Sequence, residues 1–231
     1  MKPETILIID YGSQYNLLIA RRIRELGVYC EILPPDLGSK GLDGQNIRGV
    51  ILSGGPASIY QKGAPGLSAG LLDLGVPVLG ICYGMQILCH TLGGSVRRSE
   101  RREYGDATLK TRGKSVFFRN VPSSSRSWMS HGDSVARLPK GFRVIAATSN
   151  TPNAACEDSR RKMYGVQFHP EVAHTEHGLE MLRNFVFGIC GARGDWSLSS
   201  FIRETVRSVR SEVGKGKVIC GVSGGVDSTV V

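Results

Sequence analysis

No run of 18 apolar residues occurs anywhere in these 231 residues, so the chain offers no candidate transmembrane helix. Nor does it open like a signal peptide. Met1-Lys2-Pro3-Glu4-Thr5 leads into an apolar segment of only about six residues, too short and wrongly flanked. The six cysteines, at 30, 82, 89, 156, 190 and 220, show no paired metal-ligand spacing, and no histidine completes a zinc pattern. These gaps predict a soluble, unanchored protein of the reducing cytoplasm, with no metal among its site residues. The net charge of +9 would suit a polyanion, yet no RNA-binding motif and no aromatic-interleaved basic strip accompanies it. The excess is spread over Arg21, Arg22 and Arg24, over Arg97, Arg98, Arg101 and Arg102, and over Arg203, Arg207 and Arg210. That spread reads as solvated surface or domain docking rather than nucleic-acid binding.

At 41% hydrophobic, the chain is long enough for one sizeable core plus a remnant. Apolar strands are predicted at Thr5 to Asp10, Val28 to Leu33, 49 to 52 and 76 to 81. Between them lie helical patterns at Gln14 to Leu26, 66 to 74 and 83 to 92. This alternation predicts an α/β fold with a doubly wound, mostly parallel sheet. Short Gly- and Ser-rich hairpin-like runs over 95 to 168 extend the sheet antiparallel in this reading. Leu179, Leu182, Val186 and Ile189 repeat at helical spacing and are expected to pack on the sheet. The boundaries fall at 1–190 for the first domain, 191–197 for a linker and 198–231 for the start of a second. There Leu198, Ile202, Val206, Val209 and Val213 form an apolar stripe that belongs to the second domain and is expected to lie exposed here.

Chemistry is concentrated where predicted strands end. Gly80-Ile81-Cys82-Tyr83-Gly84-Met85-Gln86 follows Val76-Pro77-Val78-Leu79 and reads as a nucleophile on a strand-to-helix turn. A thiol there faces the free N–H groups and the positive dipole end of the next helix, which favour the thiolate. Most free cysteines are merely small buried hydrophobes. This one has company, for Tyr164-Gly165-Val166-Gln167-Phe168-His169-Pro170-Glu171 reads as an alternating strand ending in a histidine and a carboxylate two residues apart. Pro170 keeps His169 extended, so both side chains can project to one side, as a base and its orienting carboxylate must. Upstream, Val50-Ile51-Leu52 runs into Ser53-Gly54-Gly55-Pro56, whose glycines can aim backbone N–H groups into a cleft.

With these segments, the chain resembles the class I (triad) glutamine amidotransferases across roughly residues 4 to 190. Asp10-Tyr11-Gly12-Ser13-Gln14-Tyr15, Arg21-Arg22-Ile23-Arg24-Glu25-Leu26-Gly27-Val28, Arg102-Glu103-Tyr104-Gly105 and Trp128-Met129-Ser130-His131-Gly132-Asp133 add to the likeness. Within that superfamily, the Gly-Ser-Gln and Trp-Met-Ser-His-Gly-Asp segments are similar to the GMP synthetase branch. The resemblance implies a flavodoxin-like fold and a Cys82, His169, Glu171 triad that hydrolyses glutamine without a cofactor. It also implies an oxyanion hole at the N–H groups of Gly55 and Tyr83, and a glutamine site at Gly54, Gln86, Ser130, His131 and Asp133. His131 is equally read as a packed loop histidine.

Near the end, Lys217 to Val222 reads as a strand, and Ser223-Gly224-Gly225-Val226-Asp227-Ser228-Thr229 is similar to the pyrophosphate loop of N-type ATP pyrophosphatases. It lacks the Gly-Lys-Ser/Thr ending of a Walker A loop. The resemblance implies ATP, Mg2+ and XMP as requirements of a full-length, homodimeric enzyme whose synthetase domain this loop begins. The chain stops at Val231, and on this reading it is a truncated piece with no useful ATP affinity and weak glutaminase activity at most. A gamma-glutamyl peptidase, an amidotransferase of another pathway and a catalytically silent docking module remain open alternatives.

Overall fold

A computed structural model of the chain describes residues 3–36, 42 and 44–219. It divides into two compact units, Met1–Asp195 and Trp196–Val231.

The first unit is built on one nine-stranded sheet. Its strands are β1 (Glu4–Ile9), β2 (Tyr29–Leu33), β3 (Asn46–Leu52), β4 (Val78–Ile81), β5 (Ser95–Thr111), β6 (Ser124–Arg137), β7 (Arg143–Ala147), β8 (Ala155–Asp158) and β9 (Met163–Val166). Their order in space is β2-β1-β3-β4-β9-β8-β7-β5-β6. The first five in that order run parallel, and from β9 onward every pairing is antiparallel. The α/β, doubly wound class with an antiparallel extension is thus the observed fold.

Alternate residues of the central strands feed two cores. Ile6, Ile8 and Ile51 pack with Ile19, Ala20 and Ile23 of α1 (Asn16–Glu25) and with Met181 and Leu182 of α4 (Gly178–Arg183). Leu7, Ile9 and Leu52 pack on the other face with Leu71 of α2 (Ala69–Leu72) and with Ile87 and Leu88 of α3 (Tyr83–Thr91). A sheet covered on both faces has uniformly apolar strands, which is why β1 is a continuous buried run. The same covering corrects the alternation read into Tyr164 to Glu171. That whole segment is buried, and β9 ends at Val166, so His169 and Glu171 lie on the irregular chain beyond it.

Several boundaries differ from the pattern-based expectation. α1 begins at Asn16 rather than Gln14, because the Asp10 carboxylate holds residues 12–16 in a turn, accepting from the Gly12 N–H at 2.6 Å and from the Asn16 amide. The predicted helix over 66 to 74 shrinks to four residues, flanked by Gly66 and Gly75 and with Gly70 inside it. β4 starts at Val78, since Pro77 has no N–H for the ladder. The antiparallel runs are not short: β5 has 17 residues and β6 has 14. Leu179 is 38% exposed, whereas Leu182, Val186 and Ile189 are buried. Beyond α4 the helix widens into a π-helical stretch, Asn184–Ile189, so one uniform helical spacing does not describe the segment.

In the second unit, α5 (Leu198–Val213) opens with a capping box in which Ser197 and Ser200 bond reciprocally. Its Leu198, Ile202, Val206 and Val209 are exposed. Residues 217–219 form no strand, and the phosphate-loop motif at Ser223–Ser228 lies outside the described residues. Among the described residues, no helix is long and apolar enough to cross a membrane, and no His/Cys/Asp/Glu cluster could hold a metal ion.

Candidate active site

Cys82 stands between β4 and α3 with φ 51° and ψ −106°, a left-handed backbone that a non-glycine residue adopts at a cost of about 1–3 kcal/mol. The turn is held from three sides. The Cys82 N–H donates to the Val166 carbonyl at 2.8 Å, its carbonyl accepts from Gln86 at 3.1 Å, and the Gly84 N–H donates to Ser53 at 3.0 Å. Glycine is required on both sides for space: a Cβ at Gly80 would sit 2.5 Å from the Gly84 carbonyl oxygen, and one at Gly84 would run into that of Leu52. The elbow presses directly on its neighbouring strand.

His169 is buried beside this sulfur. Its Nδ1 lies 2.7 Å from Oε1 of Glu171, and its other contacts include the Cys82 thiol. Burial alone would pull the imidazole pKa down. The Glu171 carboxylate and the neighbouring Cys82 outweigh burial and hold it well above the usual histidine value. Glu171 is fully buried, and its Oε2 has no partner among the described residues, so the imidazolium is the group that can balance the carboxylate. The backbone around the pair is fixed from elsewhere. The His169 N–H donates to Trp128, its carbonyl accepts from Thr175 Oγ1 at 2.6 Å, and the Glu171 carbonyl accepts from Arg22 Nε at 3.1 Å.

Sulfur, imidazole and Gly54 meet at one point. A Cβ on Gly54 would lie 3.1 Å from His169 Cε1, crowding the imidazole, and at 3.7 Å from Cys82 Cβ would be in ordinary contact. Gly55 is hemmed in by the Tyr11 carbonyl and lines the pocket above Cys82 together with Tyr83. Tyr83 opens α3, where the helix supplies no partner for its backbone N–H. Two such donors beside a nucleophile can stabilise an oxyanion.

The pocket, of about 610 Å³, has the size of a small-molecule site. Gln86, Ser130, His131 and Asp133 all line it; Gly54 and Glu171 sit behind the wall. Gln86 donates Nε2 to the Asp133 carbonyl at 2.8 Å, and the Asp133 carboxylate accepts from Ser58 at 2.6 Å. The imidazole of His131 is buried, with Nδ1 3.0 Å from the Asp133 carbonyl and Nε2 3.5 Å from Glu103. His131 is thus packed against Asp133 and Glu103 while it also lines the pocket.

Sequence reasoning passed over Gln167, whose Nε2 donates to Cys82 Sγ at 3.7 Å while its Oε1 accepts from Gln86 at 3.4 Å. It also passed over Ser58, Thr175 and Glu103. Gln167 lay inside a quoted motif, but nothing in spacing distinguishes an amide aimed at sulfur from one aimed at solvent. The other described cysteines are buried and less suited to reaction. Burial pushes the Cys30 thiol up to about 11 and raises Cys190 also, while the Cys89 contact and burial raise Cys156.

Comparison with known proteins adds the family. Residues 7–189 match the class-I glutamine amidotransferase model. The chain is 50% identical over 230 residues to the GMP synthase [glutamine-hydrolyzing] of Syntrophomonas wolfei, covering 100% of this chain and 45% of that protein. It is 51% identical to the protein of the same name from Heliobacterium modesticaldum, covering 99% and 45%. The chain therefore spans about 45% of the length of the curated relatives it matches. Among solved structures, a Thermoplasma acidophilum protein described as a GMP synthase subunit superposes with a TM-score of 0.69 at 31% identity, covering 90% of this chain and 99% of that one. A glutamine amidotransferase from Thermotoga maritima shares the fold, with a TM-score of 0.61 at 22% identity, over 90% and 86%. An elbow cysteine facing a carboxylate-bound histidine is what this fold would need for amide hydrolysis, and the chain belongs to the class-I glutamine amidotransferases.

Proposed function

We propose that this chain is the glutamine-hydrolysing part of a GMP synthase, releasing ammonia for the ATP-dependent amination of XMP to GMP. The observation that carries it is the 2.7 Å contact between His169 and Glu171 beside the elbow thiol of Cys82. The thiolate of Cys82 attacks the side-chain carboxamide carbon of glutamine, and the oxyanion forms against the N–H groups of Gly55 and Tyr83. The imidazolium of His169 passes its proton to the departing nitrogen, ammonia leaves, and a glutamyl thioester remains. Water, deprotonated by His169, then cleaves the thioester and yields glutamate. Glu171 keeps the imidazole oriented through both halves. Gln86, Ser130 and Asp133 hold the amino-acid end, the Asp133 carboxylate being suited to an ammonium.

The acceptor is chosen by likeness to relatives near 50% identity, which favours GMP formation over another pathway. In this reading the amidotransferase domain is 1–190, 191–197 is a linker, and 198–231 begins a synthetase domain in which Ser223–Ser228 cradle the pyrophosphate of ATP. ATP and Mg2+ serve that domain's chemistry in a cytoplasmic, homodimeric enzyme. The test is glutamate release from glutamine by this chain and by its Cys82→Ala variant. Turnover that disappears in the variant supports the reading; equal turnover rejects it.

A further inference from the structure

Two guanidinium groups line the pocket without a part in the chemistry above. Arg98 and Arg102 are both exposed, and neither forms an ion pair among the described residues. Their place follows from the register of β5 on β6. Arg98 is paired with Asp133 and Glu103 with His131, so four residues of β5 stand against the single residue Gly132. A bulge of this kind bends its strand and re-aims side chains. It carries Arg102 across Gly132, where a Cβ would meet Nε at 3.8 Å and Cδ at 3.9 Å. Beyond the bulge, Glu103 is anchored by Thr148 Oγ1 at 2.8 Å, which pins that end of the strand. The pocket wall therefore shows one carboxylate, Asp133, beside two cations that form no ion pair among the described residues.

That pattern is complementary to a free α-amino acid, whose ammonium and carboxylate are fixed on one carbon. We propose that Arg98 and Arg102 take the α-carboxylate of glutamine while Asp133 takes the ammonium, so that free glutamine is selected over C-terminally amidated or peptide-linked glutamine. This rests on reading the pocket as a glutamine site. Guanidinium is the side chain best matched to carboxylate, through paired charge-assisted hydrogen bonds. Losing those bonds is expected to slow capture of a carboxylate ligand roughly ten- to hundredfold.

The experiment alkylates Cys82 in the full chain with a chloroketone analogue of glutamine, in which the thiolate displaces chloride and forms an S–C bond. The same reagent with its α-carboxylate converted to a carboxamide is run beside it, and both rates are read by intact mass. In the unaltered chain the carboxylate reagent should react roughly ten- to hundredfold faster. The Arg98→Met/Arg102→Met double variant should bring the two rates close together, and Arg102→Lys should keep part of the difference. Iodoacetamide labelling of Cys82 at an unchanged rate shows that the elbow is intact; if the double variant fails that control, the single variants decide by the same ratio. A preference that survives the substitutions overturns the proposal, as does its absence in the unaltered chain when glutamine still protects Cys82. If glutamine gives no protection and neither chloroketone outpaces iodoacetamide, the glutamine reading itself falls.

Discussion

Around the sulfur, Gln167 is the side chain that the sequence alone did not single out. Its amide donates to Sγ at 3.7 Å, a contact that grows stronger as the thiol becomes a thiolate. Gln167→Leu is expected to lower kcat for glutamine hydrolysis about tenfold with little change in KM, since the bond favours the charged nucleophile over bound substrate. Steady-state kinetics check this. The raised pKa of His169 has its own signature. A group whose folded pKa lies above its unfolded value contributes stability below about 6.5, and that contribution is lost as pH rises through the folded value. Melting temperatures of the chain and of Glu171→Gln should therefore differ most near pH 6 and converge at alkaline pH; a difference that grows with pH would contradict the pairing. Cys82, His169 and Glu171 were legible as candidates because they stand beside glycine- or proline-marked breaks. Gln167, Thr175 and Ser58 were not, because their partners come from segments 85, 6 and 75 positions away in sequence, and hydrogen-bond direction leaves no trace in spacing.

Among the elements, α3 and the antiparallel arm were read with unequal success. The elbow helix announced itself through Gly80 and Gly84, each of which meets backbone where a side chain would go. The arm of β5 and β6 looked like several short hairpins because its charged and hydroxyl residues hide the pairing of two long strands; only the register shows the bulge. At its buried end, Glu103 binds Thr148, Thr151 and His131. Burial would raise this carboxyl, but the nearby His131 imidazole and the hydrogen bonds from Thr151 and Thr148 win and lower its pKa from the ordinary 4.5. The sign is then opposite to that of His169: stability is present above 4.5 and lost as pH falls through the folded value. Urea midpoints measured from pH 7 down to pH 3 should drop less steeply in Glu103→Gln than in the parent chain, whatever the variant's stability at neutral pH.

For the whole molecule, the two units have different surfaces. The first buries most of its apolar residues in three clusters, the two larger of which draw on alternate residues of the central strands. α5, in the second, leaves Leu198 62% and Ile202 52% exposed. Contiguous exposed apolar side chains on one helix promote association. Sedimentation velocity should show concentration-dependent association of this chain, relieved by Ile202→Lys combined with Val209→Lys; identical profiles for the two proteins would rule out the stripe as its cause. The α/β alternation made the parallel half of the sheet legible, since α1, α2 and α3 each follow one of its strands.

The sheet also divides labour along its width. Cys82, His169 and Glu171 all descend from parallel strands, whereas Ser130, Asp133 and the arginines of the bulge belong to the antiparallel arm. On the proposed reading, the reacting groups and most of the residues that would choose the guest thus come from separate stretches of chain. A protein engineer could lengthen the bulge or reverse its charges to admit a different amide, provided that Trp128 and Ser130 of the same arm, whose carbonyls accept from the His169 N–H and from the Cys82 thiol, stay in place.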